Sequence, residues 1–233
     1  MRRLLLISTS TVFGTRYLEH AFAELRDLYG SARRVLFVPH ALRDRDMYAA
    51  KAREAFAEIG FALDSLHEAA DPIRAVLEAE AVFCGGGNTF RLLKSLDEPG
   101  TLPAIRRRAL EGMPYSGASA GANLACPTIM TTNDMPIVQP ASFAALGLVP
   151  FQINPHYVDP VPGSTHMGET RETRIREFHE ENDAPVVGLR EGAMVRVDGD
   201  AFVLKGLAGA RIFRRGQEPV EVTPGTRIES FVG

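Results

Sequence analysis

The sequence has few cysteines, no tryptophan and no long apolar run. Its 233 residues include two cysteines, Cys84 and Cys126, which are too few for a disulfide framework and favour a reducing compartment. No apolar stretch approaches the roughly 20 residues that cross a bilayer. The apolar run at residues 4–7 follows two arginines but is too short for the core of a signal peptide. We therefore expect a cytoplasmic protein.

An excess of charge of one sign is also missing. The 26 basic and 29 acidic side chains leave a net charge of −3. The chain thus has no electrostatic footprint for nucleic acid, and the short arginine run at residues 106–108 lies in a helical pattern that predicts a solvated face. We expect neither nucleic acid nor a membrane as a partner. A homodimer is compatible with the sequence, which does not decide the oligomeric state.

Short apolar segments alternate with longer amphipathic ones, which predicts one α/β domain over residues 1–233. Such alternation is typical of a mostly parallel sheet with helices on both faces. After residue 185 the pattern changes to short strands, with a hairpin turn at residues 198–200, and predicts antiparallel strands near the C-terminus. Strands are predicted at residues 4–7, 35–38, 61–66, 81–84 and 114–117, and helices at residues 17–28, 47–59, 72–80, 90–96, 102–110 and 171–181.

The pentapeptide Gly-Ala-Ser-Ala-Gly at residues 117–121 lies between a predicted strand and a predicted helix. A serine flanked by small residues in that context is typical of a nucleophile elbow, a strained turn that exposes the hydroxyl. The helix N-terminus stabilises developing negative charge there. Ser119 is therefore the candidate nucleophile of a hydrolase. The alternative is a glycine-rich turn with a purely structural role.

Three consecutive glycines at residues 85–87 also lie between a strand and a helix. A P-loop is excluded because no Lys-Ser/Thr pair follows them. We predict that Gly86 or Gly87 supplies a backbone N–H to an oxyanion hole, with Ala120 as the other donor. Asn88 is predicted to cap the next helix and to help bind substrate. A simple tight turn is the alternative.

A serine nucleophile needs a base, and six histidines are available. His156 stands out because it follows a short strand that ends at Pro155, which places it on a loop at a strand end. The third member should be a carboxylate that orients the imidazole. Asp134 gives the chain order Ser, Asp, His of the α/β-hydrolases. Glu191, which follows a late strand, is the alternative.

Arg171 and Arg174 lie one turn apart on a predicted helix, so they share a face. Two guanidinium groups that face the site would together bind a substrate carboxylate. The alternative is that both arginines lie on the surface without a role in binding. The segment from His166 to Glu172 matches no metal signature, and the cysteines have no paired thiol. We expect no metal and no cofactor.

Several motifs together resemble the peptidase E family, the cytoplasmic α-aspartyl dipeptidases among the serine peptidases. They are GGGNTF at 85–90, GASAGAN at 117–123, TTNDMPIV at 131–138, QINPHYVDP at 152–160 and HMGETRE at 166–172. The resemblance covers nearly the whole chain. It implies a fold related to the class I glutamine amidotransferases and hydrolysis of dipeptides that begin with aspartate. The family's nucleophile and base match Ser119 and His156, and its third member is taken as the residue matching Asp134, with Glu191 also considered.

The resemblance also implies how substrate is bound and where this chain departs from the pattern. We expect Arg171, and then Arg174, to bind the aspartyl carboxylate of a small peptide substrate. The family often has tryptophan where this chain has Ala118, which predicts a wider pocket. Two rival functions remain at this point. One is a related hydrolase, such as a cyanophycinase-like enzyme or an esterase, and the other is a ligand-binding or regulatory subunit without activity.

Overall fold

The computed structural model describes residues 1–160, 163, 165 and 167–232, and these form an α/β fold. The strands are β1 Arg3–Ile7, β2 Arg34–Val38, β3 Ala62–Ser65, β4 Val82–Cys84, β5 Tyr115–Ala118, β6 Gln152–Pro155, β7 Val186–Leu189, β8 Ala193–Asp198, β9 Ala201–Gly206, β10 Ala210–Phe213 and β11 Val220–Val222. The helices are α1 Phe22–Tyr29, α2 Arg45–Glu58, α3 Pro72–Glu78, α4 Thr89–Asp97, α5 Thr101–Glu111, α6 Ala120–Leu124, α7 Arg171–Glu181 and α8 Glu229–Val232.

The larger sheet has seven strands in the order β3-β2-β4-β5-β1-β8-β9. The first five of these are parallel, whereas β8 and β9 run antiparallel to their neighbours. The predicted sheet, with antiparallel strands near the C-terminus, is therefore confirmed. Strand β5 lies between β4 and β1, so its carboxyl end opens at the middle of the parallel region, where ligands bind in folds of this kind.

A second sheet of four strands has the order β11-β10-β7-β6. Strands β6 and β7 are parallel, and β10 is antiparallel to both β7 and β11. The sequence predicts antiparallel strands near the C-terminus, and β7 and β10 lie in that part of the chain. These two strands pair with each other, in a sheet separate from the larger one.

Both faces of the larger sheet are covered by apolar side chains. Alternate residues of β1 enter different clusters, with Leu4 and Leu6 on one face and Leu5 and Ile7 on the other. The first cluster continues into α3, α4, α5 and the second sheet, and the other continues into α1 and α2. This is the two-sided cover that a parallel sheet requires, because both of its faces are apolar.

Local signals explain most helix ends. Asp71 caps α3 by accepting from the Arg74 N–H at 3.0 Å, with proline at the first helical position. Helix α1 is shorter than the predicted helix at 17–28, because Leu18 adopts a left-handed conformation (φ 59°) and only a short 3-10 turn separates it from Phe22. Strand β11 and helix α8 were not predicted.

Within the described residues, no helix has the length and apolar character needed to cross a membrane.

Candidate active site

Ser119 lies in a strained turn at the carboxyl end of β5. Its backbone (φ 52°, ψ −109°) is outside the regions that residues with a side chain normally occupy, and the next residue begins α6. The Ser119 N–H donates to the Ile7 carbonyl at 2.9 Å, which fixes the turn to the end of β1. Strain of this kind persists only when the surroundings impose it. The geometry is that of the predicted nucleophile elbow.

The glycines beside Ser119 are required by close packing. A Cβ atom on Gly117 would overlap the Gly121 carbonyl across the turn, and a Cβ atom on Gly121 would overlap the Cys84 carbonyl. In both cases the obstacle is backbone, which cannot move aside as a side chain can. The small residues of the pentapeptide therefore let β5, α6 and β4 approach closely enough to form the turn.

His156 contacts both Ser119 and a carboxylate. Its Nε2 lies 2.9 Å from Ser119 Oγ, and its Nδ1 lies 2.8 Å from Glu191 Oε1. With Nδ1 protonated, the imidazole donates to Glu191 and accepts the Ser119 hydroxyl proton at Nε2. Glu191 lies in the turn between β7 and β8. The arrangement can carry out nucleophilic catalysis, with the carboxylate stabilising the imidazolium that forms.

Asp134 does not contact His156, and the prediction that it orients the imidazole is corrected in favour of Glu191. Asp134 Oδ2 accepts from the Thr89 N–H at 2.7 Å, from the Thr89 hydroxyl at 2.6 Å and from the Thr132 hydroxyl at 3.2 Å. These donors hold the carboxylate at the start of α4. Chain order pointed to Asp134, but contacts between distant strand ends decide the partner, and chain order does not report them.

The predicted oxyanion donors lie beside the nucleophile. A Cβ atom on Gly86 would lie 3.2 Å from both the Ala118 carbonyl oxygen and Ser119 Cβ, so the glycine loop packs directly against the elbow. Ala120 is the first residue of α6, where a helical N–H has no partner within its own helix. Gly87 has a positive φ of 136°, which favours glycine. The glycine loop and the first residue of α6 therefore both border Ser119.

An open cleft of about 470 Å³ lies over the nucleophile. Its size falls within the range of small-ligand sites. The described residues that line it include one carboxylate, Asp134, and one ammonium group, Lys51. The lining consists of Ser10, Tyr17, Leu42, Met47, Tyr48, Lys51, Gly86, Gly87, Ser119, Asp134 and His156.

Comparison with known proteins identifies the family. The model of peptidase family S51 matches residues 4–205. The chain belongs to peptidase family S51. The predicted family and the prediction of a serine peptidase are thereby confirmed.

Curated relatives of this S51 peptidase match it over nearly its whole length. Peptidase E of Streptomyces coelicolor is 54% identical over 229 residues, which cover 98% of this chain and 94% of the relative. A probable alpha-aspartyl dipeptidase of Drosophila melanogaster is 51% identical, with 96% and 94% covered. Peptidase E of Salmonella newport is 44% identical, with 97% and 99% covered.

Two solved structures share the fold of this S51 chain. A peptidase from an acI-B1 Actinobacterium superposes with a TM-score of 0.75 at 16% identity, covering 98% of this chain and 96% of the other. A putative peptidase E from Listeria monocytogenes EGD-e gives 0.68 at 22% identity, with 89% and 100% covered. At these identities the likeness establishes the fold alone.

Arg171 and Arg174 are near each other at the start of α7 in the S51 chain but are not among the described residues that line the cleft. Burial lowers the pKa of Arg171, and the positive charge of Arg174 lowers it further. Arg174 pairs with Glu169 at 3.4 Å. An anion between the two guanidinium groups would relieve their repulsion. His166, at the start of the same motif, lies outside the described residues.

Asn88 and Ala118 have structural positions. The Asn88 side chain caps α4 by accepting from the Arg91 N–H at 3.0 Å, which confirms the predicted cap, and it donates to the Met135 carbonyl at 2.8 Å. Both ends of the amide are thus used within the protein, and nothing in these contacts supports substrate binding by Asn88. Ala118 is fully buried in the cluster beside α1 and α2 and is not among the described residues that line the cleft.

Sequence reasoning missed Ser8, whose hydroxyl fixes the backbone of the base. The buried Ser8 Oγ accepts from the His156 N–H at 2.9 Å and donates to the Leu189 carbonyl at 2.7 Å. His156 itself has a positive φ of 52°. Ser8 directly follows the first strand in the sequence, and a polar residue at a parallel strand end is a signal for the site.

Sequence reasoning also missed three residues of the cleft, Tyr17, Tyr48 and Lys51. Tyr17 lies in the predicted helix at residues 17–28, and the other two lie in the amphipathic helix predicted at residues 47–59, so none of them stands out from the pattern. The Tyr17 hydroxyl donates to the Tyr48 hydroxyl at 3.3 Å. A Cβ atom on Gly85 would come within 2.6 Å of the Tyr48 hydroxyl, so Tyr48 packs under the glycine loop. Burial raises the pKa of both tyrosines, and the phenols therefore stay neutral.

The two cysteines are unsuited to act as nucleophiles. Both are free and fully buried, and burial raises the pKa of each thiol to about 12. A thiol must ionise to become a nucleophile, and these remain protonated at neutral pH. Cys84 ends β4 next to the glycine loop, yet its role is to pack in the core.

Proposed function

We propose that this S51 peptidase is an α-aspartyl dipeptidase that hydrolyses Asp-Xaa dipeptides through an acyl-enzyme on Ser119. The observation that carries the proposal is the hydrogen-bonded series Ser119–His156–Glu191 at the base of a small cleft. The names of two relatives, peptidase E and probable alpha-aspartyl dipeptidase, agree with it.

In the proposed mechanism, His156 Nε2 takes the Ser119 proton as the oxygen attacks the carbonyl carbon of the aspartyl residue. The N–H groups of Gly86 or Gly87 and of Ala120 bind the oxyanion of the tetrahedral intermediate. His156 then gives its proton to the leaving amine, and the second amino acid departs. A water molecule, deprotonated by the same nitrogen, attacks the ester and releases aspartate.

Glu191 holds the imidazole in the required tautomer during both steps. Its carboxylate accepts from Nδ1, so Nε2 is free to accept the serine proton, and the negative charge stabilises the imidazolium in each transition state. The Glu191 side chain is about half exposed, at 54%, whereas that of His156 is 35% exposed. Bound substrate would cover the cleft and strengthen this pair by excluding water.

Recognition of the aspartyl residue needs a cation for its side chain and an anion for its α-ammonium group. We assign the side-chain carboxylate to Arg171, with Arg174 beside it, because these two positive charges already repel each other. The α-ammonium group is assigned to Asp134. Its Oδ2 takes the three donors described above, and the carboxylate lines the cleft with no cation within 4.0 Å among the described residues.

A substrate panel tests the proposal. Asp-Leu, Leu-Leu, β-Asp-Arg and a nitrophenyl ester are each given to the purified protein, and kcat/KM is measured. We expect Asp-Leu to be the best of these, because only its side chain and α-ammonium group match both charged sites. Faster turnover of β-Asp-Arg or of the ester would reject the aspartyl dipeptidase in favour of a cyanophycinase-like enzyme or an esterase.

A fluorophosphonate probe tests the nucleophile itself. Wild type should be labelled, Ser119→Ala should not, and Ser116→Ala should be labelled like wild type. Ser116 is a matched control, because it lies in the same strand but faces the Tyr29 hydroxyl in the core. A folded wild type that resists labelling and cleaves nothing would instead favour a binding or regulatory subunit.

A further inference from the structure

Lys51 places a positive charge in the cleft that the steps above do not use. It is the only cation among the described residues that line the cleft with Ser119 and His156. The sequence has two other lysines, and both are paired, Lys94 with Glu98 at 3.5 Å and Lys205 with Glu24 at 3.1 Å. Lys51 has no carboxylate within 4.0 Å in the part of the chain that the structure describes.

The ammonium group of Lys51 is held by an aromatic ring. Its Nζ lies 4.8 Å from the centroid of the Tyr17 ring, a cation–π contact. Tyr17 is buried, and its hydroxyl donates to Tyr48, which lies one turn before Lys51 on α2. Lys51 is itself an exposed residue, and the contact favours positions of its ammonium group near the ring over free sampling of solvent. A charge held in this way is ready to meet an anion, at less entropic cost than a free side chain would incur.

A dipeptide with N-terminal aspartate has three charged groups, and two of them already have partners in the proposed function. Arg171 is assigned to the side-chain carboxylate and Asp134 to the α-ammonium group. The third is the C-terminal carboxylate. In a longer peptide a neutral peptide group stands at that position, and it offers an ammonium group no charge to pair with. A cation that binds this carboxylate therefore distinguishes dipeptides from longer chains.

We propose that Lys51 binds the C-terminal carboxylate of the dipeptide and so limits the enzyme to two-residue substrates. This inference rests on the proposed function. The lysine acts on binding, since the C-terminal carboxylate is not a reacting group and carries the same charge in the ground state and the transition state. Its removal should therefore raise KM more than it lowers kcat.

The experiment compares Asp-Leu with its C-terminal amide, Asp-Leu-NH₂, and with Asn-Leu, in wild type, Lys51→Met and Lys94→Met. A charged hydrogen bond to a carboxylate supports a loss of about 10- to 100-fold. We expect Lys51→Met to lose about that much kcat/KM for Asp-Leu, mostly through KM, and to change less than about threefold on the amide. Lys94→Met, which removes a lysine on the surface of α4, should leave the Asp-Leu values unchanged.

Three results would overturn the inference. An equal loss on Asp-Leu and on the amide would show that Lys51 does not contact the C-terminal carboxylate. A collapse of the preference for Asp-Leu over Asn-Leu would assign Lys51 to the aspartyl side chain instead. No loss on Asp-Leu would remove any role in binding. In each case wild type still cleaves Asp-Leu and the proposed function stands, whereas a wild type that cleaves no Asp-Xaa dipeptide rejects both.

Discussion

Two residues of the site, Ser119 and His156, have positive φ angles of 52°. For residues with side chains this conformation is unfavourable, and each is held in place by hydrogen bonds from the backbone. Ser119 N–H donates to Ile7 and His156 N–H donates to Ser8, so both anchors belong to the end of β1 and the residue after it. The two side chains meet, with His156 Nε2 at 2.9 Å from Ser119 Oγ.

At this scale we predict different kinetic effects for the two acidic candidates. Glu191→Gln keeps the size of the side chain but removes the charge that fixes the tautomer of His156 and stabilises its charged form. We expect kcat for Asp-Leu to fall about 100-fold or more. Asp134→Asn should instead raise KM about 10-fold or more with a smaller change in kcat, because the α-ammonium group loses its ionic partner.

Steady-state kinetics of the two variants, with thermal unfolding as a check on folding, decide this assignment. A fall in kcat for Asp134→Asn as large as that for Glu191→Gln would show that Asp134 takes part in the chemical step. A small effect of Glu191→Gln would show that the hydrogen bond to Nδ1 is dispensable.

The sequence singled out Ser119 and His156 as candidates but left the carboxylate open, with Asp134 preferred and Glu191 as the alternative. The serine has a local signal, since the small residues around it are needed wherever a strand turns sharply into a helix. Glu191 has no such signal, because its position depends on β7 lying beside β6 in the second sheet. Lys51 reads from sequence as one of many charged helix residues, and only the approach of Tyr17 shows where it lies.

At the scale of elements, the site is assembled from strand ends. Ser119 directly follows β5, His156 directly follows β6, and Glu191 lies in the turn after β7. β4 and β5 belong to the larger sheet, whereas β6 and β7 belong to the smaller one. His156 and Ser119 thus follow strands of different sheets, and the distance between their side chains depends on the contacts that join the two sheets.

The Ser8 hydroxyl is one of the contacts that join the two sheets, and the substitution Ser8→Ala tests its effect on the position of His156. The hydroxyl links the residue after β1 to the ends of β6 and β7, so its loss should let the His156 backbone drift from Ser119. We expect kcat to fall about 10-fold with little change in KM, because small displacements of catalytic groups are costly. The free energy of unfolding should fall by about 1–3 kcal/mol, since a buried N–H loses its partner.

The variant Ser116→Ala is the control for Ser8→Ala, because it separates an effect on the position of His156 from an effect on the stability of the protein. It also removes a buried hydroxyl, one bonded to Tyr29 away from the cleft, so it should cost stability and leave kcat near wild type. If both variants lost kcat in proportion to stability, Ser8 would have no specific positioning role.

The succession of strands and helices along the chain was predictable, because the hydrophobic periodicity and the capping residues of each element are local features of the sequence. The division into two sheets was not, because an apolar strand does not encode which neighbour it pairs with. The start of α1 was missed for a similar reason. The apolar spacing of residues 17–28 suits a helix throughout, but Tyr17 packs beside Tyr48 and Lys51, and Leu18 turns out of helical geometry.

At the scale of the whole molecule, one buried cluster contains side chains from both sheets, such as Leu6 of β1 and Leu189 of β7. We propose on this basis that residues 1–233 form the predicted single domain, since this cluster, the largest of the buried ones, joins the two sheets in one core. Because this core is shared, a change that destabilises one sheet should also destabilise the other, and with it the parts of the site that each sheet carries. A change of pH that loosens the core should then reduce stability and activity together.

His40 is expected to make the fold sensitive to acid. It is buried, its Nδ1 has no partner within the described residues, and burial, with the nearby charges of Arg45 and His67, lowers its pKa to about 4. Unfolding restores a pKa near 6.5, so the unfolded chain binds the extra proton and stability is lost as pH falls from about 6.5 toward 4, by roughly 3 kcal/mol in total. His40→Leu cannot titrate and should lose less. The measurement is urea unfolding of wild type and variant at pH 7.5 and at pH 4.5. The difference in unfolding free energy between the two proteins should shift by about 2 kcal/mol in favour of the variant at the lower pH. A difference that stays constant would mean that His40 is protonated equally in the folded and unfolded states.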